Sequence, residues 1–163
     1  MEGPLDATDF PALRVPLPEL RGHLCTLITL GLESVAKIAP EVSFVHDYPG
    51  SVNTGLYRNM KGPPFDPKVS VPIEECGERH LYLATSARYP PIEGESTAVR
   101  LGDNVEVATG SNGEVGSGVY SVGSDCESAS GEVRELLAGL REKGMVEDVW
   151  RHTELEFKRI SKY

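Results

Sequence analysis

The sequence predicts an α/β domain that is rich in helix and poor in strand. Apolar residues recur at helical spacing between Leu20 and Ile38, and again from Val133 onward. A compact β-prone run, Val42-Ser43-Phe44-Val45-His46, sits between helical stretches rather than among other strands. A length of 163 residues, 39% of them apolar, suits one domain able to bury a core.

Taken in order, Pro11, Pro16 and Pro18 discourage helix in the opening, and residues 1–12 are expected to be flexible. The first helix is predicted from Leu20 to Ile38. It carries Leu20, Leu24, Leu27, Ile28, Val35 and Ile38 at the helical period, with Leu30 and Leu32 on other faces, so burial on more than one side is expected. Pro40 ends it. The run Val42–His46 reads as a buried strand that stops at the turn Tyr48-Pro49-Gly50. Gly55, Gly62, Pro63, Pro64 and Pro67 interrupt regular structure up to residue 70. A second helix is predicted over 72–88, with proline tolerated in its first turn and Glu74 and Glu75 matching its positive end.

Residues 93–131 read as a Gly-, Ser- and acid-rich loop region; Arg100 is the only base within it. Two short strands, 105–109 and 118–122, are expected there as a hairpin, because Ser111-Asn112-Gly113 supplies the turn chemistry. Val133, Leu136, Leu137 and Leu140 then mark a helix that Gly144 breaks. Val146, Val149, Trp150, Phe157 and Ile160 form a last apolar stripe. The predicted order is α, β, α, ββ, α, α.

Sixteen basic residues against 25 acidic ones give a net charge of −9. That balance disfavours nucleic acid and anionic membranes as partners, because both are held by clustered positive charge. No apolar run reaches the ~20 residues a membrane helix needs. Cys25, Cys76 and Cys126 are odd in number and lack metal-ligand spacing, which points to a reduced, cytoplasmic protein without a metal.

Three patterns carry potential chemistry. The glycines from Gly110 to Gly118 suggest a phosphate cradle, but the next segment is a strand and no helix opens before about Ser130. A cradle needs that helix N-terminus, so a hairpin is the better account. Tyr57 and Lys61 match Y-x-x-x-K, yet Gly55 and Gly62-Pro63-Pro64 flank them and deny the rigid helix that the pair requires. His46 and Asp47 are adjacent on a strand and therefore point to opposite faces, so neither can orient the other as triad members do. His23, His80 and His152 fall in helical stretches and read as surface or packed residues. What remains is the strand Val42–His46 running into Pro49-Gly50-Ser51-Val52-Asn53-Thr54, since ligands of open α/β sheets bind beyond the carboxyl ends of strands.

These residues carry a resemblance. With Arg21-Gly-His-Leu, Glu78 through Arg88, Gly118-Val-Tyr-Ser-Val122 and Leu136 through Trp150, the stretch from Leu13 to Tyr163 resembles the C-terminal half of fungal short-chain dehydrogenase/reductase-like proteins. The resemblance implies a partial Rossmann-like fold, the C-terminal half of a doubly wound parallel sheet, with residues 1–163 as one truncated domain. It implies that Pro49, Gly50, Val52 and Thr54 meet the nicotinamide end of NAD or NADP. The family's catalytic lysine falls near Arg21 and its tyrosine near Leu17, and a leucine cannot donate a proton. These 163 residues also contain no glycine-rich turn in the setting a pyrophosphate needs.

The implied function is NAD(P)-linked carbonyl or alcohol chemistry on a small molecule, set in fungal secondary metabolism. The alternative is a non-catalytic helper that pairs with itself or with a full-length homologue. In intact relatives the first helix packs in subunit interfaces, and the isolated strand would expose an edge.

Overall fold

The computed structural model describes residues 1–55, 70–94 and 98–161. Its elements in chain order are α1 (Leu17–Ala36), β1 (Phe44–Asp47), α2 (Ile73–Thr85), β2 (Val119–Val122), α3 (Gly131–Glu142) and α4 (Met145–Ser161). This is the helix-rich α/β architecture expected, with a small parallel sheet consistent with a partial Rossmann-like fold.

The sheet differs from the expected hairpin. β2 pairs in parallel with β1, in the register Phe44↔Val119, Val45↔Tyr120, His46↔Ser121 and Asp47↔Val122. Residues 105–109 form no strand among the described residues. The turn at Ser111-Asn112-Gly113 closes only one antiparallel bridge, Thr109↔Val115. Turn chemistry set the local bend, but β2 gains more from a strand that buries both of its faces than from a short glycine-flanked neighbour.

α1 lies on one face of this sheet and packs against α4. Leu83 of α2 packs on the other face, against Tyr120, Val122 and Tyr89. A second cluster joins α1, α3 and α4 through Leu30, Leu137, Val146 and Val149. Two polar contacts fasten these layers. Ser34 Oγ donates to the Val146 carbonyl at 3.0 Å. Ser111 Oγ donates to Glu33 at 2.7 Å, and burial pushes that carboxyl above its usual range.

Helix boundaries follow the local signals closely. α1 starts three residues earlier than expected, because Pro18 falls in the first turn, where its missing N–H costs nothing. α2 stops at Thr85, short of Arg88, where Ser86 turns extended. Val99 then catches the chain through Val99 N–H to the Thr85 carbonyl and Ala87 N–H to the Val99 carbonyl. Ser130 caps α3 by accepting from Val133 N–H, and Gly144, at φ +73°, separates α3 from α4 as predicted.

α1 is buried on a side that mixes Leu30 and Ala36 with polar residues. Its inward residues include His23, Thr26, Thr29 and Ser34, while Leu17, Leu24 and Ile28 are 82%, 42% and 50% exposed. The opening segment explains the polar side. Thr26 Oγ1 donates to the Gly3 carbonyl at 2.7 Å, Asp6 N–H meets His23 Nδ1 at 3.2 Å, and Gly3 N–H donates to the Gly22 carbonyl. A Cβ on Gly22 would come within 2.9 Å of the Gly3 backbone, so this crossing needs glycine.

The core makes a direct prediction. Leu137 is fully buried, so Leu137→Ala should cost about 2–5 kcal/mol, read as a lower urea midpoint at unchanged slope. Leu155→Ala, at an exposed position of α4, should stay within about 0.5 kcal/mol.

Candidate functional site

The site lies at the carboxyl ends of β1 and β2. Beyond Asp47 the chain passes through Tyr48 and Pro49, then takes a left-handed backbone at Gly50, whose φ is +84°. A side chain at Gly50 would crowd Val71 Cγ2 at 3.0 Å and Ser124 Cβ at 3.3 Å, besides straining the backbone. The segment then bridges to Val71 through Val52, with Val71 N–H donating to the Ser51 carbonyl at 2.8 Å. Thr54 N–H donates to the Val52 carbonyl at 2.9 Å, and Thr54 faces solvent. Pro49, Gly50, Val52 and Thr54 thus form a bent loop off the strand end.

The positions matched to the family's Tyr and Lys are one turn apart on α1. Leu17 is its first residue and largely exposed. The Arg21 guanidinium stacks over the Tyr48 ring at 4.3 Å from its centroid, a contact worth about 0.5–2 kcal/mol. Arg21 is therefore tied to the loop that follows β1, and Leu17 brings no polar group. Tyr57 and Lys61 lie outside the described residues. The loop from Gly110 to Gly118 leads into β2, and no helix opens until α3.

His46 and Asp47 point to opposite faces, as strand alternation requires, and each finds a distant partner. On the α1 side, His46 Nδ1 lies 2.9 Å from Thr29 Oγ1, which itself donates to Glu2 Oε1 at 2.7 Å. Burial pushes the His46 imidazole below its usual range, against the pull of the Glu2 and Asp47 carboxylates. On the α2 side, Asp47 Oδ2 lies 3.3 Å from His80 Nε2. His80 Nδ1 is 2.7 Å from the Cys76 carbonyl and 3.5 Å from Cys76 Sγ.

The expectation of a surface or packed residue for His80 does not include this grouping. Cys76 and His80 stand four apart on α2, one above the other on a single face, and that spacing was visible in the sequence. Their meeting with Asp47 was not, because it depends on how α2 lies across β1. His23 is packed under the opening segment, and His152 lies against Phe10 with ring centroids 5.2 Å apart.

Two openings share this side. A small crevice holds Cys76, Pro49, Ser124 and Cys126. A cleft of about 780 Å³ runs from Asp47, His80 and Leu83 along Val45 and Ser43 to Val99. It borders the outer edge of β1. Phe44 N–H and Tyr48 N–H bond to β2, so the backbone groups of Val45 and Asp47 face the other way, and no backbone bond reaches them there among the described residues. β2's outer edge is covered, with Ser111 N–H donating to the Val119 carbonyl and Ala129 N–H to the Ser121 carbonyl, both at 2.8 Å.

Among the described residues, no group of three or more His, Cys, Asp or Glu is placed to hold a metal ion. None of their helices is long and apolar enough to cross a membrane.

The chain is similar to several fungal proteins. It is 38% identical over 149 residues to an oxidoreductase of Emericella nidulans, a match covering 81% of this chain and 42% of the relative. It is 31% identical over 153 residues to the oxidoreductase andH of Emericella variicolor, covering 85% and 44%. It is 37% identical over 142 residues to the NmrA-like family domain-containing oxidoreductase notO of an Aspergillus species, covering 86% and 40%. The chain thus spans less than half the length of these relatives. No protein-family model matches it, and no solved structure matches it.

The His46 environment predicts a pH dependence. A histidine whose folded pKa is depressed binds fewer protons when folded, so its share of stability is complete above about pH 6.5 and is lost as pH falls below that value. The urea midpoint should therefore fall between pH 7 and pH 5.5, and His46→Gln should show a smaller fall over the same interval.

Proposed function

We propose that this chain is the nicotinamide-proximal part of an NAD(P)-linked fungal oxidoreductase of the short-chain dehydrogenase/reductase type, acting on a small-molecule carbonyl or alcohol in secondary metabolism. The observation that carries the reading is the left-handed glycine at Gly50, in the loop that takes Pro49, Gly50, Val52 and Thr54 off the carboxyl end of a parallel strand. The similarity to fungal oxidoreductases supports oxidoreductase chemistry. In this reading Thr54 lies beside the carboxamide, and Arg21 holds the loop through Tyr48. The pyrophosphate and ribose fall to residues outside these 163, so the choice between NAD and NADP is made there.

A two-part titration tests it. NADPH fluorescence should show no saturable binding in the micromolar range, because the dinucleotide lacks its glycine-rich turn. Reduced nicotinamide mononucleotide at millimolar concentration should shift the amide resonances of Gly50, Val52 and Thr54. Thr54→Val should weaken that binding roughly three- to tenfold, the effect of losing one hydrogen bond. Shifts absent from residues 49–54 would sink the reading.

A second reading, a helper that associates with another copy or with a longer homologue, is favoured by the surface of α1. Leu17, Leu24 and Ile28 form an exposed apolar stripe beside a polar side already covered by residues 1–12. Light scattering should then report a dimer for the 163-residue chain. Substituting both Leu24→Glu and Ile28→Glu should convert it to monomer, and a monomeric parent chain removes self-association from consideration.

A further inference from the structure

The structure brings a thiol, an imidazole and a carboxylate together where α2 meets the end of β1. We propose that Cys76, His80 and Asp47 form a reactive-thiol site that adds to α,β-unsaturated carbonyl compounds. Cys76 Sγ lies 3.5 Å from His80 Nδ1, and His80 Nε2 lies 3.3 Å from Asp47 Oδ2. The two contacts use opposite ends of one ring. A nucleophile, a base and a group that orients the base are the parts an activated thiol requires.

The hydrogen bonding of the ring supports the assignment. His80 Nδ1 is also 2.7 Å from the Cys76 carbonyl. Either neutral tautomer leaves one ring nitrogen's lone pair facing an oxygen. Only the imidazolium donates at both ends, to Asp47 on one side and to the carbonyl and sulfur on the other. A proton passed from Cys76 to His80 therefore reaches a ring whose two N–H groups both have acceptors.

The setting fits an organic electrophile. His80 is about half exposed, and with Asp47 and Leu83 it lines both the crevice holding Cys76 and the cleft of about 780 Å³. That volume lies in the range of small-molecule sites, but Cys76 lines the small crevice and not the cleft, so the cleft holds the body of the electrophile beside the thiol rather than around it. Leu83, Val45 and Ala84 give the cleft an apolar wall, and sulfur is a soft nucleophile suited to a conjugated carbon. Cys126 lines the same crevice, but burial pushes its thiol up, away from the reactive thiolate form.

The step balances without a further reagent. Cys76 gives its proton to His80, and the sulfur lone pair forms an S–C bond at the β-carbon. The C=C π pair moves to the α-carbon, which takes the proton back from His80. Nothing is oxidised or reduced, and Asp47 acts only by orienting the ring.

N-ethylmaleimide is a suitable probe, since its double bond is a conjugated acceptor, and peptide mapping by mass spectrometry separates the three cysteines. At pH 7, Cys76 should be labelled at least tenfold faster than Cys25 or Cys126 in the folded chain. His80→Gln should slow Cys76 about tenfold, and Asp47→Asn should slow it severalfold, with the Cys126 rate unchanged as an internal check on the fold. A Cys76 rate equal to that of Cys25 in the unsubstituted chain overturns the proposal, whatever the variants do. So does an unchanged Cys76 rate in a folded His80→Gln chain. The assay contains no nicotinamide, so its outcome is independent of the cofactor reading.

Discussion

The parallel pairing of β1 with β2 is the constraint on which the rest of the molecule depends. The two strands lie far apart in sequence, and closing so long a loop costs entropy that grows only slowly with length. The return comes from burying both faces at once. All four residues of β2 are buried, Tyr120 and Val122 in a cluster with Tyr89 and Ala108 that Leu83 packs against, and Val119 and Ser121 on the opposite side. Register matters as much as pairing. A slip of one residue would turn His46 toward α2 and Asp47 toward α1, leaving Thr29 and His80 both without their partners.

From this pair outward the structure is asymmetric. Backbone bonds from Ser111 and Ala129 seal the outer edge of β2, whereas the outer edge of β1 opens on a cleft. Proteins seldom leave a flat strand edge uncovered, because unpaired N–H and C=O groups recruit other strands. α1 repeats the imbalance in its side chains, with His23, Thr26 and Thr29 buried beside Leu30 while Leu17, Leu24 and Ile28 stand outside. The chain that shows both features spans less than half the length of its relatives.

How much of this was legible in the sequence follows from the range of each signal. α3, α4 and the break at Gly144 came from periodicity and one glycine, and the start of α2 came from proline followed by acidic residues. All of these are local. The partner of β2 was not legible, because Ser111-Asn112-Gly113 announces a turn but carries no information about a strand near residue 45. The polar side of α1's buried face was hidden for a similar reason. Its threonines and His23 look like a solvent face until Gly3, Asp6 and Phe10 are laid against them. At the site, the divergence of His46 and Asp47 was readable from strand alternation. The grouping of Asp47 with Cys76 and His80 needed the packing.

The two histidines beside that strand end show why the α2 side, rather than the α1 side, holds the chemistry. His46 is enclosed, and its Nδ1 is engaged by a threonine that also serves Glu2. Burial holds its imidazole neutral, so exchanging a proton there would mean charging a group the fold keeps uncharged. His80 carries the same ring between a carboxylate and a carbonyl, is open to solvent, and has a thiol within reach. One strand thus supplies adjacent residues to two different ends: His46 locks the opening segment to α1, and Asp47 orients an accessible imidazole toward a cleft. The same alternation that builds the core therefore separates the structural histidine from the one free to act, and it sets the latter beside Pro49, where the bent loop leaves the sheet.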